Sequence, residues 1–337
     1  MINVGLYGAT GYTGFETLKI LQNHPEVRLK FATSESYAGQ PFSQVYPVPW
    51  PVSLIKDEAA DLGQVDAVFC CLPHAASIPT VRAARQTGVR VIDLSADFRL
   101  KSAAAYEEWY STPHTAPELL AEAAYGLPEI NRQEIQETNL LANPGCYPTS
   151  ILLGLYPLLK HNYLNPDAPL IADSKSGVSG AGRKPTLKSH FVEVNENLSP
   201  YNIGQTHRHT AEIVQNLEAW GGNGAQFIFA PHLVPISRGM LSTIYVSLAQ
   251  DLTAAEAQSL FVETYHSQPL VRVLPPGELA TFAHTQRNNS CAISITWVNP
   301  RQLITCSSID NLGKGAAGQA VQNFNLMFGF EETTALI

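Results

Sequence analysis

Short apolar runs alternate with segments of helical spacing in the N-terminal part of the chain. Five apolar runs have the length of strands: residues 2–7, 27–33, 65–72, 89–94 and 140–142. Two segments carry apolar residues at helical spacing: residues 15–23 and 78–87. Because strands that alternate with helices form βαβ units, this pattern predicts an α/β domain built on a parallel sheet. The polar, proline-interrupted stretch 97–129 predicts a long loop.

Longer runs in which apolar and polar residues alternate follow after residue 160. They predict five strands: residues 168–175, 226–231, 239–249, 271–274 and 291–298, and the apolar run 303–309 predicts a sixth. Such alternation predicts a mixed or antiparallel sheet in a second, α+β domain. Residues 315–330 have helical spacing, and we expect this last helix to return to the first domain. The predicted domains are residues 1–145 with 312–337, and residues 146–311.

A glycine turn connects the first predicted strand to the first predicted helix. Residues 8–14 read Gly-Ala-Thr-Gly-Tyr-Thr-Gly. Glycines at this position allow a tight turn and close approach of a diphosphate, and the helix N-terminus attracts the anion. The turn therefore predicts a Rossmann-type dinucleotide-binding domain. The predicted cofactor contacts within it are Gly8, Thr10, Gly11, Tyr12, Thr13 and Gly14.

The end of the second predicted strand bears on which dinucleotide binds. An acidic residue at this position holds the ribose hydroxyls of NAD, whereas hydroxyl or basic groups suit the 2′-phosphate of NADP. Ser34 and Ser36 fit the phosphate, and Glu35 fits it only if its side chain points away. We therefore predict NADP, with Ser34 and Ser36 among its contacts.

Composition and charge argue against several classes of protein. The chain has 337 residues and a net charge of −8, so binding to nucleic acid has no electrostatic support. No apolar stretch has the length of a membrane span, and no signal peptide is evident at the start. The five cysteines have no zinc-site spacing. We expect a cytoplasmic protein that has neither structural disulfides nor a metal site and contacts neither nucleic acid nor a membrane.

Cys146 lies in a turn at the entrance of an apolar run. Residues 143–150 read Asn-Pro-Gly-Cys-Tyr-Pro-Thr-Ser, and the run 151–159 follows directly. A thiol at a helix N-terminus is stabilised as a thiolate, the reactive form of cysteine. A buried cysteine that acts only as a small apolar side chain is the alternative. From these residues alone, both interpretations stay open.

The two turns together resemble those of the N-acetyl-gamma-glutamyl-phosphate reductases, a family within the aspartate-semialdehyde dehydrogenase class. The resemblance extends over essentially the whole chain. It is carried by eight segments in one order: residues 8–14, 72–74, 93–99, 125–129, 143–150, 176–183, 207–209 and 311–316. It implies an enzyme of arginine biosynthesis that reduces an acyl phosphate with NADPH to an aldehyde and phosphate.

The resemblance also implies roles for particular residues. Cys146 is implied to form a thioester with the acyl group, and His207 or His209 to act as the acid, with His209 favoured. Two histidines two positions apart point to different sides of a regular element, so we expect only one of them to face the sulfur. Further contacts with the cofactor are implied for Leu72, Pro73, His74, Ser176, Gly177 and Asn311. Contacts with the substrate are implied for Arg99, Ser179, Gly180, Arg183 and Arg208.

Several of these residues have a structural alternative. Arg99 could instead pair with Asp93 or Asp97, and Asn311 could cap the last helix. One departure from the wider class favours the acetylglutamyl branch. Related aspartate-semialdehyde enzymes have a Gly-His pair where this chain has Gly239-Met240. Methionine cannot exchange a proton, so the acid must come from elsewhere, which supports the 207–209 segment.

Other functions remain in competition. A reductase of a homologous or carrier-bound acyl phosphate, as in a lysine-type pathway, differs only in its pocket. A non-catalytic dinucleotide sensor would keep the glycine turn but would have no use for an activated thiol. The expected partners are a small-molecule acyl phosphate and further copies of the chain, in a homodimer or homotetramer.

Overall fold

In the computed structural model, which describes residues 1–337, the chain forms two units. The first contains residues 1–144 and 316–337, and the second contains residues 145–315. The chain therefore leaves the first unit after Pro144, directly before the cysteine turn, and returns after Gly315.

The first unit is built on a parallel sheet of seven strands. Its strands are β1 (Ile2–Tyr7), β2 (Val27–Thr33), β3 (Leu54–Ile55), β4 (Ala67–Cys70), β5 (Arg90–Asp93), β6 (Ala124–Tyr125) and β7 (Leu140–Ala142). Their order across the sheet is β3-β2-β1-β4-β5-β7-β6, with every neighbouring pair parallel. From β1 the chain adds β2 and β3 on one side, and then crosses to add β4 and β5 on the other side. This reversal makes the crevice between β1 and β4 the expected site for a ligand.

Helices cover both faces of this sheet. They are α1 (Tyr12–Leu21), α2 (Ser77–Gln86), α3 (Ala103–Tyr110), α4 (Pro117–Leu120), α5 (Pro128–Glu137) and α10 (Gly318–Met327). Val4 and Phe69 pack with residues of α1 and α10, while Val68 and Val91 pack with residues of α2. Because both faces are buried, these strands are continuous apolar runs, which is why the sequence predicted them well.

The stretch 97–129 is not a long loop, as the sequence predicted, but contains α3, α4, β6 and the start of α5. The error came from its prolines, which mark helix starts here. Pro117 and Pro128 occupy the first turns of α4 and α5, where a missing backbone N–H costs nothing. Helix α3 is capped by Ser102, whose side chain accepts a hydrogen bond from the Ala105 N–H.

The second unit contains a mixed sheet of seven strands. They are β8 (Leu170–Gly177), β9 (Ser199–Pro200), β10 (Phe227–Val234), β11 (Met240–Ser247), β12 (Val271–Val273), β13 (Cys291–Asn299) and β14 (Gln302–Ile309). Their order is β12-β13-β14-β11-β8-β10-β9, with β8–β10 and β12–β13 parallel and the other pairs antiparallel. The predicted fold class, a Rossmann-type sheet followed by an α+β domain with a mixed sheet, is confirmed.

One face of the second sheet carries the helices α6 (Cys146–Lys160), α8 (His209–Ala219) and α9 (Ala254–Tyr265). A short helix, α7 (Phe191–Val194), precedes β9. On the helical face, Ile244 of β11 is buried, and it would contact a side chain placed at Gly154 of α6. The opposite face presents half-exposed residues, which explains the alternating pattern of these strands.

Candidate active site

The glycine turn of the first unit joins β1 to α1 at the carboxyl ends of the strands. Gly8 has φ +72°, and a Cβ placed on it would lie 2.4 Å from the Cys71 carbonyl oxygen. A Cβ on Gly14 would lie 2.2 Å from the Gly8 carbonyl oxygen. Both positions therefore require glycine. The turn forms a cradle that side chains would fill, and such a cradle fits the diphosphate of a dinucleotide.

The start of α1 completes this anion site. Gly11 caps the helix with extended backbone, and Tyr12 and Thr13 are its first residues, so their N–H groups have no partner within the helix. Thr10 lies beside the end of β2, because its Oγ1 is 2.8 Å from the Ser34 Oγ. The tertiary structure thus brings the two predicted halves of the cofactor site, residues 8–14 and Ser34, together.

The side chain of Glu35 is directed towards the next loop. Its Oε1 accepts a hydrogen bond of 3.1 Å from the Asp57 N–H. Ser34 is buried, whereas Ser36 is exposed. Lys56 follows β3 directly, and the Ser34 N–H donates to the carbonyl of Ile55, the residue before it. The sequence did not identify this lysine, because only the pairing of β2 with β3 places it near the end of β2.

Residues 72–74 follow β4, on the other side of β1. Leu72 is half-buried, Pro73 and His74 are exposed, and the His74 ring lies 5.7 Å from the ring of Tyr110 on α3. Since β4 neighbours β1, this loop and the glycine turn share one edge of the parallel sheet. The location agrees with the crevice at which ligands bind such sheets.

In the second unit, Cys146 is the first residue of α6. Gly145 caps the helix with extended backbone, and its N–H donates a 2.8 Å hydrogen bond to Oε1 of Glu212, a buried residue of α8. A Cβ placed on Gly315 would lie 2.8 Å from the Cβ of Cys146. The cysteine turn is therefore held by α8 on one side and requires a glycine on the other. The sequence predicted the helix start but assigned no role to Glu212 or Gly315.

His207 and His209 lie side by side. Their ring centroids are 4.9 Å apart, and both rings pack edge-on against Tyr147, the residue after the cysteine. The prediction that the two histidines point to different sides was wrong, because α8 begins only at His209 and His207 belongs to the preceding loop. Tyr147 also hydrogen-bonds Tyr201, with their hydroxyl oxygens 2.8 Å apart. Neither tyrosine was identified from the sequence.

The two histidines differ in their hydrogen bonding. Nδ1 of His207 accepts a hydrogen bond of 3.1 Å from the His209 N–H, which requires that nitrogen to be unprotonated. Burial, and to a smaller extent the neighbouring Arg208, lowers the pKa of His207 to about 4. His207 is therefore neutral at physiological pH and cannot supply a proton as a cation. This favours His209 as the acid.

The loop after β8 is tied to the turn that precedes β11. The Ser179 N–H donates to the Ser237 carbonyl, and the Ser179 Oγ accepts a hydrogen bond from Asn311 Nδ2 at 2.9 Å. The oxygen of the same amide group, Asn311 Oδ1, accepts a hydrogen bond from the Gly239 N–H. Asn311 thus links the loop to β11 and does not cap the last helix. Its predicted contact with a cofactor stays a prediction.

The last two residues of β8 and one residue of this loop are closely packed. A Cβ on Gly177 would lie 2.9 Å from the Arg238 N, and a Cβ on Gly180 would lie 3.0 Å from the Ser176 Oγ. Ser176 is buried and hydrogen-bonds Tyr147. Through Tyr147, the loop and the cysteine turn become parts of one arrangement within the second unit.

The predicted substrate arginines differ in their surroundings. In the first unit, Arg99 is buried and donates to the carbonyls of Leu94 and Asn143, at 2.9 and 2.8 Å. In the second unit, Arg183 is half-buried and Arg208 is exposed. Arg238, in contrast, pairs with the fully buried Asp310 at 3.0 Å.

No group of three or more His, Cys, Asp or Glu side chains is arranged to hold a metal ion. No helix has the length and apolar character needed to span a membrane.

Two family models match the two units. The semialdehyde dehydrogenase NAD binding domain matches residues 3–138, and the semialdehyde dehydrogenase dimerisation domain matches residues 146–311. The N-acetyl-gamma-glutamyl-phosphate reductase of Moorella thermoacetica is 48% identical to this chain, and the alignment covers 100% of this chain and 98% of that protein. The chain belongs to the N-acetyl-gamma-glutamyl-phosphate reductase family. The family's reductase from Pelotomaculum thermopropionicum is also 48% identical, over 99% of this chain and 97% of its own.

Solved structures place the N-acetyl-gamma-glutamyl-phosphate reductase family within a wider fold class. Aspartate semialdehyde dehydrogenase II from Vibrio cholerae aligns with a TM-score of 0.76 at 18% identity, over 98% of both chains. A structure of aspartate semialdehyde dehydrogenase with NADP from Candida albicans aligns with a TM-score of 0.72 at 14% identity, over 97% of this chain and 98% of that one. The predicted family is confirmed, and the chain is an oxidoreductase of the semialdehyde dehydrogenase class.

Proposed function

We propose that this protein uses NADPH to reduce N-acetyl-gamma-glutamyl phosphate to N-acetylglutamate 5-semialdehyde with release of phosphate, a step of arginine biosynthesis. The observation that carries the proposal is the arrangement in the second unit. Cys146 begins a helix, and the next residue, Tyr147, packs against both His207 and His209. A thiol with a neighbouring acid/base group is the arrangement that acyl transfer through a thioester needs. We infer the identity of the acyl group from the names of the full-length relatives.

In the proposed mechanism, the Cys146 sulfur bonds to the acyl carbon and the bond from that carbon to the phosphate oxygen breaks. The positive end of α6 favours the thiolate that must attack. Bound NADPH supplies the hydride that reduces the resulting thioester carbonyl. His209 protonates the carbonyl oxygen as the hydride arrives and takes the proton back as the aldehyde forms and the thiolate leaves. The one proton consumed overall ends on the released phosphate.

Other residues of the second unit support this chemistry without moving protons. Glu212 accepts a hydrogen bond from the Gly145 N–H and so fixes the position of the cysteine turn. His207 is neutral and accepts the His209 N–H, which orients the start of α8. We assign Arg183, Arg208, Ser179 and Gly180 to the anionic groups of the substrate, and the implied substrate contact of Arg99 stays a prediction. Guanidinium groups suit phosphate and carboxylate because they donate two parallel hydrogen bonds.

The deciding experiment is the reverse reaction with purified protein. N-Acetylglutamate 5-semialdehyde should reduce NADP only when phosphate or arsenate is present, because the thioester needs an oxyanion to release it. Turnover that does not depend on phosphate would contradict the acyl-phosphate mechanism. If the protein binds NADP tightly but turns over only semialdehydes with a longer chain, the proposed substrate is wrong while the reaction class stands.

We assign the cofactor as NADP because of the surroundings of β2. The Glu35 side chain accepts a hydrogen bond from the Asp57 N–H, and Lys56 follows the neighbouring strand β3. Lys56→Ala is expected to weaken NADPH binding about 5- to 10-fold, the size of a partly exposed charge-assisted hydrogen bond, while NADH binding stays unchanged. Fluorescence titration with both nucleotides measures this. Lys30→Ala, an exposed lysine within β2, is the matched control, and equal losses for both nucleotides would contradict the assignment.

We further propose that the open face of the second sheet binds a second copy of the chain. One row of directly paired residues crosses four strands on this face: Ile228, Ile171, Tyr245 and Ile304. Ile228 is 46% exposed and Tyr245 is 43% exposed. An apolar row at the centre of a sheet that lacks helices on that face fits an interface between copies. The matching dimerisation domain model spans the same residues.

Tyr245→Arg is expected to convert the oligomer into monomers, because it places a charge within the apolar row of each copy. Light scattering coupled to gel filtration measures the mass. Val262→Arg is the control, since Val262 is 44% exposed on α9 and lies off this face. An unchanged mass for Tyr245→Arg would exclude this face as the interface.

The proposed location is the cytoplasm. All five cysteines are free thiols in the structure, as expected for a protein that works in a reducing compartment.

A further inference from the structure

Two aspartates of the first unit are fully buried, and the proposed mechanism uses neither. Asp93 ends β5, its Oδ1 accepts a hydrogen bond from the Ser95 N–H at 3.1 Å, and its Oδ2 lies 2.7 Å from the Ser95 Oγ. Asp97 follows on the same loop, and both side chains have 0% exposure. Burying two carboxylates close together is costly unless hydrogen bonds or protons compensate.

Asp97 holds the turn that follows the loop 72–74. Its carboxylate accepts hydrogen bonds from the Ala75 N–H at 2.7 Å, the Ser77 N–H at 3.2 Å and the Tyr106 hydroxyl at 2.7 Å. Ala75 has φ +65°, a conformation that costs free energy for a residue with a side chain. The bond to Asp97 offsets that strain. Asp97 thus connects the interior of the unit to the loop that we assign to the cofactor.

A continuous chain of oxygen atoms joins the two aspartates. The links are Asp93 Oδ2 to Ser95 Oγ at 2.7 Å, Ser95 Oγ to Ser77 Oγ at 2.7 Å, and Ser77 Oγ to Asp97 Oδ2 at 2.9 Å. Every link has the length of an O–H···O hydrogen bond and so needs one hydrogen. The two serine hydroxyls supply only two hydrogens for three links. The third hydrogen must come from one of the carboxyl groups.

A proton on Asp93 completes the chain. The Asp93 carboxyl then donates to Ser95, Ser95 donates to Ser77, and Ser77 donates to Asp97, which remains an acceptor for Ala75 and Tyr106. A proton on Asp97 would leave fewer acceptor positions for the N–H groups of the turn. We propose that Asp93 is a positioning residue whose proton completes a buried hydrogen-bonded chain, and that this chain holds the turn beside the cofactor loop.

The electrostatic surroundings agree with that placement. Burial raises the pKa of Asp93 to about 7, with Asp97 as the second cause, while the bonds from Ser95 and the Arg99 guanidinium oppose the rise. The other titratable groups that face the chain are Cys70 on β4, Tyr106 on α3 and His114. Burial keeps all three neutral: it raises the pKa of Cys70 and of Tyr106 and lowers that of His114. Asp93 is therefore the group of this cluster that titrates near neutral pH.

The direction of the pH effect follows from the raised pKa. The folded protein holds the Asp93 proton more tightly than the unfolded chain, in which the pKa is 3.8. The stability that this group contributes therefore declines as pH rises above about 4 and is lost above pH 7. Above that pH the hydrogen-bonded chain from Asp93 to Asp97 has one hydrogen too few. The hydrogen bond between Ser95 and Ser77 is then lost, and the turn at Ala75 is held less firmly.

Infrared spectroscopy of the unmodified full-length protein tests the proton directly. A protonated carboxyl group gives a carbonyl band apart from those of carboxylates, and here it should disappear with an apparent pKa near 7. Asp93→Asn should remove the band, whereas Asp167→Asn, at an exposed aspartate of the second unit, should keep it. If Asp93→Asn fails to fold, Ser95→Ala is the second variant. It keeps the carboxyl but breaks the hydrogen-bonded chain, so the band should remain while NADPH affinity no longer changes with pH.

Cofactor affinity tests the coupling to the loop, and this part of the inference rests on the proposed function. From about pH 7 to about pH 8.5, NADPH should bind the parent roughly fivefold more weakly, a modest coupling between sites, and bind Asp93→Asn with little change. No titrating band in the parent, or a band that persists in Asp93→Asn, would overturn the inference. A titrating band with no NADPH binding at any pH would instead contradict the proposed function. A titrating band together with an NADPH affinity that does not change with pH would show that the Asp93 proton is not coupled to the cofactor loop.

Discussion

Cys146→Ala is expected to abolish reduction of the acyl phosphate, with a loss of at least about a thousandfold, because no other group on the cysteine turn can form a thioester. Folding and NADPH binding should survive, since the half-exposed side chain removed is small and the glycine turn lies in the other unit. Steady-state rates, fluorescence titration with NADPH and thermal melting measure the three quantities.

Cys306→Ala is the matched control, because Cys306 is also a half-buried thiol of the second unit. Burial raises its pKa, and burial raises the pKa of Cys71 to about 12, so both remain thiols at neutral pH. Iodoacetamide at mildly acidic pH should therefore label Cys146 selectively, which peptide mass spectrometry can locate. Activity of Cys146→Ala within tenfold of the parent would exclude the covalent mechanism, and labelling without selectivity would favour a sensor that has no activated thiol.

His209→Gln is expected to lower the rate of reduction about 100- to 10,000-fold, the usual contribution of a general acid, with little change in NADPH affinity. The same substitution at His207 should cost about tenfold, because that ring is neutral and acts by orienting the start of α8. The pair is a stringent comparison, since both rings touch Tyr147 and lie 4.9 Å apart.

The pH profile separates the two roles. Reduction needs the protonated acid, so the parent rate should fall as pH rises and the acid loses its proton. That alkaline limb should persist in His207→Gln and disappear in His209→Gln. If instead His207→Gln removes the limb, or if both variants lose the same activity, the acid has been assigned to the wrong histidine.

Much of the first unit could be predicted because its strands are locally encoded. The predicted runs 2–7 and 27–33 are the observed β1 and β2, since strands buried on both faces are continuously apolar. The prediction of a long loop over residues 97–129 was wrong because the structure of this stretch is not encoded locally. Its helices are short and begin at Pro117, at Pro128 and after Ser102, and short helices are decided by packing more than by local pattern.

The start of the last helix was also not predicted correctly from the sequence. The sequence predicted helix over 315–330, but regular helix spans only Gly318–Met327, and residues 313–317 form a wider helical turn. Gly313 and Gly315 lie at close contacts that local spacing does not reveal. A Cβ on Gly313 would lie 2.5 Å from the Asn288 carbonyl oxygen. Tertiary packing, not helical propensity, sets where this helix begins.

The sequence by itself determined the glycine turn at the start of α1, the cysteine at the start of α6 and the order of the motifs, because turns and helix ends depend on nearby residues. Only the tertiary structure decided the direction of Glu35, the neutrality of His207 and the bond from Glu212 to the cysteine turn. It also decided the chain that joins Asp93 to Asp97. These features depend on burial and on hydrogen bonds between segments that are distant in sequence, and packing alone brings such segments together.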